Sequence, residues 1–121
     1  MSERLQAVRG AITVESDEAG AIKDGTAELL REVLERNDLT PADLVSIIFT
    51  STPDLQSEFP AVAAREIGLS AVPLLCAREI PVDGAIEKCV RVMIHCYPRH
   101  DAPIRHVYLR DARQLRLDLP E

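Results

Sequence analysis

Val8-Arg9-Gly10-Ala11-Ile12-Thr13-Val14, followed across Glu15-Ser16-Asp17 by a long segment running to Arg36, carries both of the periods from which this fold is built. The first run is apolar and β-branched, and it reads as a strand bounded by the acidic cluster. In the second, Ile22, Thr26, Leu29, Leu30, Val33 and Leu34 recur at three- and four-residue spacings, with Glu28, Arg31, Glu32 and Glu35 between them. That spacing predicts a helix over Asp17 to Arg36 with one apolar stripe laid on a core. Asn37-Asp38 ends it. Thr40-Pro41-Ala42-Asp43 then predicts a short capped turn of helix, with Pro at the first helical position and Asp in the first turn.

Working outward, Leu44 to Thr50 (LVSIIFT) is an apolar, β-rich run short enough to be a buried strand, broken by Thr52-Pro53-Asp54. Phe59 to Ile67 predicts a second, shorter helix with Gly68 as its C-cap. Ala71 to Ala77 reads as a third strand, Pro81-Val82-Asp83-Gly84 as a turn, and Ile104 to Leu109 as a fifth strand. Between them, Ile86 to Tyr97 alternates in the manner of a strand, although a buried helix also fits its period. The tail from Asp111 to Glu121 is short and polar. Strands and helices interleave without repeat or linker. The expectation is a single domain over residues 1–121, of α+β (mixed α/β) class, with one mixed, about five-stranded sheet packed against one long and one short helix.

The formal net charge of −6 argues against nucleic acid or an anionic membrane as the main partner. It does not exclude a small anion, which needs only a few converging arginines. Of 14 basic residues only Lys23 and Lys88 are lysines. Arginine is the residue that grips a carboxylate with a planar fork, but composition alone fits a coding bias equally well. Cys76, Cys89 and Cys96 form no CxxC pair and suggest neither a disulfide framework nor a zinc ribbon. With no signal-like start and no apolar stretch of membrane-spanning length, the expectation is a cytoplasmic protein.

Arginines stand at or near predicted strand and helix ends: Arg9, Arg65, Arg91, Arg105 and Arg116. Arg9 and Arg91 fall inside apolar β-patterned segments, so each points either into a cavity or to a solvated sheet face. Glu79 follows the strand carrying Cys76, which as a residue type is more often a small buried hydrophobe than a nucleophile. Tyr108 lies in the last strand. His95, Cys96, His100 and His106 match no zinc spacing, and no glycine-rich nucleotide loop or serine nucleophile elbow is found. No metal and no cofactor is expected.

Several stretches together carry a resemblance. They are Val8-Arg9-Gly10-Ala11-Ile12-Thr13-Val14-Glu15, Thr50-Ser51-Thr52-Pro53-Asp54-Leu55, Phe59-Pro60-Ala61 with Ala64-Arg65, Val72-Pro73-Leu74-Leu75-Cys76-Ala77-Arg78-Glu79, Cys89-Val90-Arg91-Val92-Met93, Ile104-Arg105-His106-Val107-Tyr108-Leu109, and Leu115-Arg116. In this order, over nearly the full chain, they resemble the monofunctional trimeric chorismate mutases of the pseudo-α/β-barrel type. The resemblance implies a homotrimer with pockets between subunits that rearranges chorismate to prephenate on the route to phenylalanine and tyrosine. It implies that Arg91 meets the ether oxygen, that Glu79 accepts from the ring hydroxyl with Cys76 on the same side, and that Arg9 and Tyr108 hold the side-chain carboxylate. Phe59, Ala61, Leu74, Leu75 and Leu115 would line the wall, with Arg65 and Arg116 at the mouth. Relatives often carry a charged residue where Val62 stands and a proline where Leu117 stands.

Such a rearrangement is intramolecular and needs no proton transfer, nucleophile or metal, in keeping with the motifs found. What a protein can supply is conformer selection and stabilisation of separating charge. Two other readings use the same arginines: a non-catalytic trimer that senses a small carboxylate, and an imine or enamine hydrolase on a similar trimer. A purely structural assembly domain leaves them unused.

Overall fold

The computed structural model describes residues 4–116. In chain order these form β1 (Gln6–Thr13), α1 (Ala19–Arg36), β2 (Leu44–Ser51), α2 (Pro60–Glu66), β3 (Leu74–Arg78), β4 (Cys89–Cys96) and β5 (Val107–Leu109), with 3-10 turns at Pro41–Asp43 and Arg110–Arg116. The strands build one mixed sheet in the order β3-β2-β4-β1-β5. β4 runs antiparallel to both β1 and β2, whereas β3 is parallel to β2 and β5 to β1. The expected α+β class, with one long and one short helix on a five-stranded mixed sheet, is the one observed. Of the segment that alternates from Ile86 to Tyr97, Cys89–Cys96 is a strand, the middle one, and Lys88 at φ 50 turns the chain just before it. No helix among the described residues is long and apolar enough to cross a membrane.

The core lies between α1 and one face of the sheet. Ile22, Leu29, Leu30 and Val33 of the helix stripe are fully buried against Val8, Ile12, Ile47, Phe49, Val90 and Ile94. Burial of this kind stabilises by roughly 1.5–3 kcal/mol per large aliphatic side chain. Gly10 lets α1 sit close: a Cβ there would lie 3.1 Å from Leu29 Cδ1 and 3.2 Å from the Val107 carbonyl oxygen.

Several boundaries differ from expectation, and three of them have a plain local reason. β3 begins at Leu74, not Ala71, because Val72 closes a turn onto the Leu69 carbonyl and Pro73 has no N–H to donate. β5 begins at Val107, not Ile104. Buried Asn37, the C-cap of α1, takes the preceding backbone for itself: its Nδ2 donates to the carbonyls of Val33 and Arg105 (both 2.9 Å), and its Oδ1 accepts from Arg105 N–H at 2.7 Å. The expected polar tail from Asp111 is in fact a 3-10 helix over Arg110–Arg116. Arg110, at φ 55, swings it back onto the sheet, donating from one terminal nitrogen to the Thr13 carbonyl (3.0 Å) and from the other to Glu28 (2.8 Å). Ala112 then clusters with Ala11 and Cys89, and Leu115 packs on that cluster.

Candidate active site

Strand alternation sorts the candidate residues onto two faces. On β4, Val90, Val92, Ile94 and Cys96 turn to the helices, so Arg91, Met93 and His95 turn to the opposite face. The register carries that division across the sheet. Ala11 and Thr50 flank Arg91, Arg9 and Ile48 flank Met93, and Tyr108 pairs with Ala11. Arg9, Arg91 and Tyr108 therefore share the face that no α-helix covers. At one end the 3-10 helix folds over it, and Leu115 and Tyr108 pack against the same small cluster of Ala11, Cys89 and Ala112.

Glu79 joins this face from the far side of β2. Its N–H donates to the Ser51 carbonyl at 3.0 Å, extending the β2–β3 ladder by one bond beyond the strand. Its side chain reaches back across β2, where Oε2 accepts from Thr50 Oγ1 at 2.6 Å and from Arg91 Nε at 3.0 Å. The pair is half-sheltered, with side chains 16% (Glu79) and 39% (Arg91) exposed. Among the described residues only Nε of the guanidinium is engaged, which leaves its terminal nitrogens, four N–H donors, outside this pair. Beneath them lies Cys89, whose thiol burial pushes up to about 11, with Arg91 and Glu79 acting on it in opposite senses. That thiol is a packing group and not a nucleophile.

A second cationic cluster lies at the β1–β5 end. His106 Nδ1 accepts from the Arg9 backbone N–H at 3.0 Å, which fixes that nitrogen as unprotonated. Burial first, then the nearby Arg9 and Arg116 guanidinium groups, hold the His106 pKa below its usual 6.5. The folded protein thus favours the neutral ring, and the unfolded chain takes the proton first as pH falls. The associated stability is complete above about pH 6.5 and is lost as pH drops below it. Urea midpoints at pH 7.5 and 5.5 should fall further for the parent than for His106→Asn, which keeps an acceptor and cannot titrate. Equal falls in the two proteins would remove His106 from this role.

The other expected residues gather elsewhere. Cys76 and Leu74 sit on the helix side of β3, partly packed against the core, and do not share the face of Arg91. Cys76 instead lines a cleft of about 470 Å³ with Phe59, Pro60, Ser57, Ala77 and Arg78. The loop before Phe59 is pinned by Asp17, whose Oδ1 accepts from the N–H groups of Gln56 (2.8 Å) and Ser57 (2.9 Å). The Gln56 bond chiefly, with that from Ser57, holds the Asp17 carboxyl below its usual 3.8. Phe59 and Leu75 are 67% and 62% exposed, whereas Ala61 is buried in the core and Arg65 is exposed on the last turn of α2. In one chain the residues around Arg91 and those around Phe59 therefore form two separate groups. Leu117 lies outside the described residues, and Val62 is half-buried on α2.

Two residues of the site carry no role in the sequence pattern. His106 is adjacent to Arg9 only through the parallel β1–β5 pairing. Thr50 is visible as part of an apolar strand, but its bond to Glu79 depends on three strands lying side by side. No local pattern announces either.

Comparison with known proteins shows the family of the chain. Residues 5–119 match the family Chorismate mutase type I. Chorismate mutase AroH of Thermus thermophilus is 49% identical over 119 residues, covering 95% of this chain and 96% of that protein. The Bacillus subtilis (strain 168) protein of the same name is 42% identical over 119 residues, covering 95% and 92%. In three dimensions a chorismate mutase from Clostridium thermocellum superposes with a TM-score of 0.87 at 46% identity, over 90% of this chain and 98% of that one. The chain belongs to the type I chorismate mutases, a family of isomerases.

Proposed function

We propose that the sheet face carrying Arg91 converts chorismate to prephenate, with the whole chain serving as one domain and no cofactor taking part. The observation that carries the reading is the Arg91–Glu79 pair, which leaves the terminal guanidinium nitrogens free of other partners among the described residues. In the rearrangement a C–O bond breaks as a C–C bond forms within one molecule, and electron density builds on the ether oxygen. Arg91 donates to that oxygen with a permanent positive charge already in place, so no reorganisation is needed as the charge develops. Glu79 accepts from the ring hydroxyl through Oε1, the carboxylate oxygen that neither Thr50 nor Arg91 occupies. Arg9 grips the side-chain carboxylate together with the Tyr108 hydroxyl, and Arg116 stands at the mouth, toward the ring carboxylate. These grips hold the substrate in its compact, reactive conformer, which removes much of the entropic part of the barrier.

The pocket closes when a second copy supplies the half-site of Phe59, Leu75 and Arg65 to the open face of the first, and three copies complete a ring. The uncovered sheet face and the exposure of Phe59, Leu75, Val45 and Tyr97 support this association. Cys76, across the sheet from Arg91 in one chain, would then reach the substrate from the Phe59 side. The three free thiols suit a reducing cytoplasm.

The direct test follows chorismate absorbance in the ultraviolet with purified protein, without added metal or nucleotide. Loss of chorismate with prephenate as product is the expected result. Binding without turnover would instead identify a carboxylate sensor. Arg65, at the mouth and distant from the reacting bond, should act on capture. Arg65→Ala is expected to raise KM about five- to tenfold at low salt, less at high salt, with kcat within about twofold. A fall in kcat with unchanged KM would move Arg65 inside the pocket.

A further inference from the structure

We propose that Thr50 is a positioning residue for the reaction, acting through Glu79 on Arg91; this deepens the reading above and rests on it. Thr50 occupies the strand between the two acting residues. It pairs with Ala77 on β3 and with Arg91 on β4, so its side chain lies on the open face between them. Its hydroxyl makes the shortest bond of the cluster, 2.6 Å to Glu79 Oε2, and an ionised carboxylate can only accept, so Thr50 is the donor. Arg91 Nε donates to the same oxygen at 3.0 Å. Both donors therefore converge on Oε2, and Oε1 takes no hydrogen bond from any described residue.

The consequence is a division of labour between the two carboxylate oxygens. Without Thr50, a carboxylate on a side chain with three rotatable bonds can turn so that both oxygens engage the guanidinium fork, the geometry such pairs favour. That bidentate state would draw a terminal nitrogen of Arg91 into the ion pair and leave neither oxygen wholly free for the substrate. By holding Oε2 from the opposite side, Thr50 limits Glu79 to the Nε edge. It keeps the terminal nitrogens of Arg91 for the ether oxygen and Oε1 for the ring hydroxyl. Thr50 touches no substrate in this arrangement.

The test is a double-mutant cycle with steady-state kinetics on the purified full-length oligomer. Thr50→Val keeps the shape and the strand preference but removes the donor. It should lower kcat about tenfold or more, with KM within about threefold. Thr50→Ser restores the hydroxyl and should return kcat to within about threefold of the parent, and Thr50→Ala should repeat the loss if Val perturbs the sheet. In a Glu79→Gln background, Thr50→Val should cost less than about twofold, because the group it positions is gone. A Thr50→Val protein with parental kcat, beside a Glu79→Gln protein that is impaired, overturns the positioning role and leaves the function intact. A Thr50→Val loss that persists undiminished in the Glu79→Gln background makes Thr50 merely structural. A Glu79→Gln protein with parental activity removes Glu79 itself, and this proposal with it.

Discussion

Arg91→Ala is expected to lower kcat by three to five decades in a protein that still folds and assembles. Arg91 is 39% exposed on a face outside the core, so truncation opens no cavity, and the flanking Val90 and Val92 keep the strand in place. Removing one neutral preorganised donor at a developing oxyanion costs about 3–4 kcal/mol. Charged donors make hydrogen bonds roughly twice as strong as neutral ones, which puts the expected loss above that range. Because the contact tightens as the C–O bond breaks, kcat and kcat/KM should fall together. Arg91→Lys keeps the charge but not the fork that bonds Glu79 and substrate at once, and it should recover only part of the rate. Size-exclusion and circular dichroism traces matching the parent establish the fold. Turnover within tenfold of the parent in such a protein would sink the role assigned to Arg91.

Phe49→Ala should have the largest effect on stability. Phe49 is the largest of the fully buried side chains; it stands on β2 between Cys76 and Val92 and points into the helix layer. Phe-to-Ala changes in cores typically cost about 3–5 kcal/mol, the lost transfer energy plus that of the cavity. With a urea m-value of about 1–3 kcal/mol/M, the midpoint should drop by more than about 1 M. Phe49→Leu, which keeps most of the volume, should recover most of that loss. Since Phe49 and Thr50 are successive residues on opposite faces, the same substitution should also loosen the Glu79 anchor and depress turnover before unfolding begins. A midpoint within about 0.3 M of the parent, on the order of the scatter of surface substitutions, would show that the core collapses around the gap.

Period and chemistry were legible in the chain, and pairing was not. The alternation of Val90, Arg91, Val92, Met93 and Ile94 is enough to put a cation on the face opposite the core. The stripe from Ile22 to Val33 is enough to lay a helix on that core. Local rules also place Gly68, at φ 99, just past the end of α2. What they cannot supply is which strand lies beside which. Glu79 and Arg91 meet only because β2 lies between β3 and β4, and the sequence between them reads as a loop. The 3-10 helix at the end escaped for a related reason. Ala112 and Leu115 are three apart, a short apolar signal in a polar stretch, and they acquire meaning only when Arg110 folds them onto Ala11 and Cys89. Cys76 and Leu74 fall on the helix side because register, not composition, sets the phase of β3.

The placement of β1 has a consequence for how the chain is made. β1 has no partner among its near neighbours in sequence. It pairs with Cys89–Cys96 on one side and Val107–Leu109 on the other. A nascent chain leaving the ribosome must therefore carry this mostly apolar ribbon unpaired until Cys89–Cys96 has been made. Pairings of this sequence separation fold slowly and leave strand edges exposed to other chains in the meantime. A yield that falls as expression temperature rises is the expected consequence of this strand order.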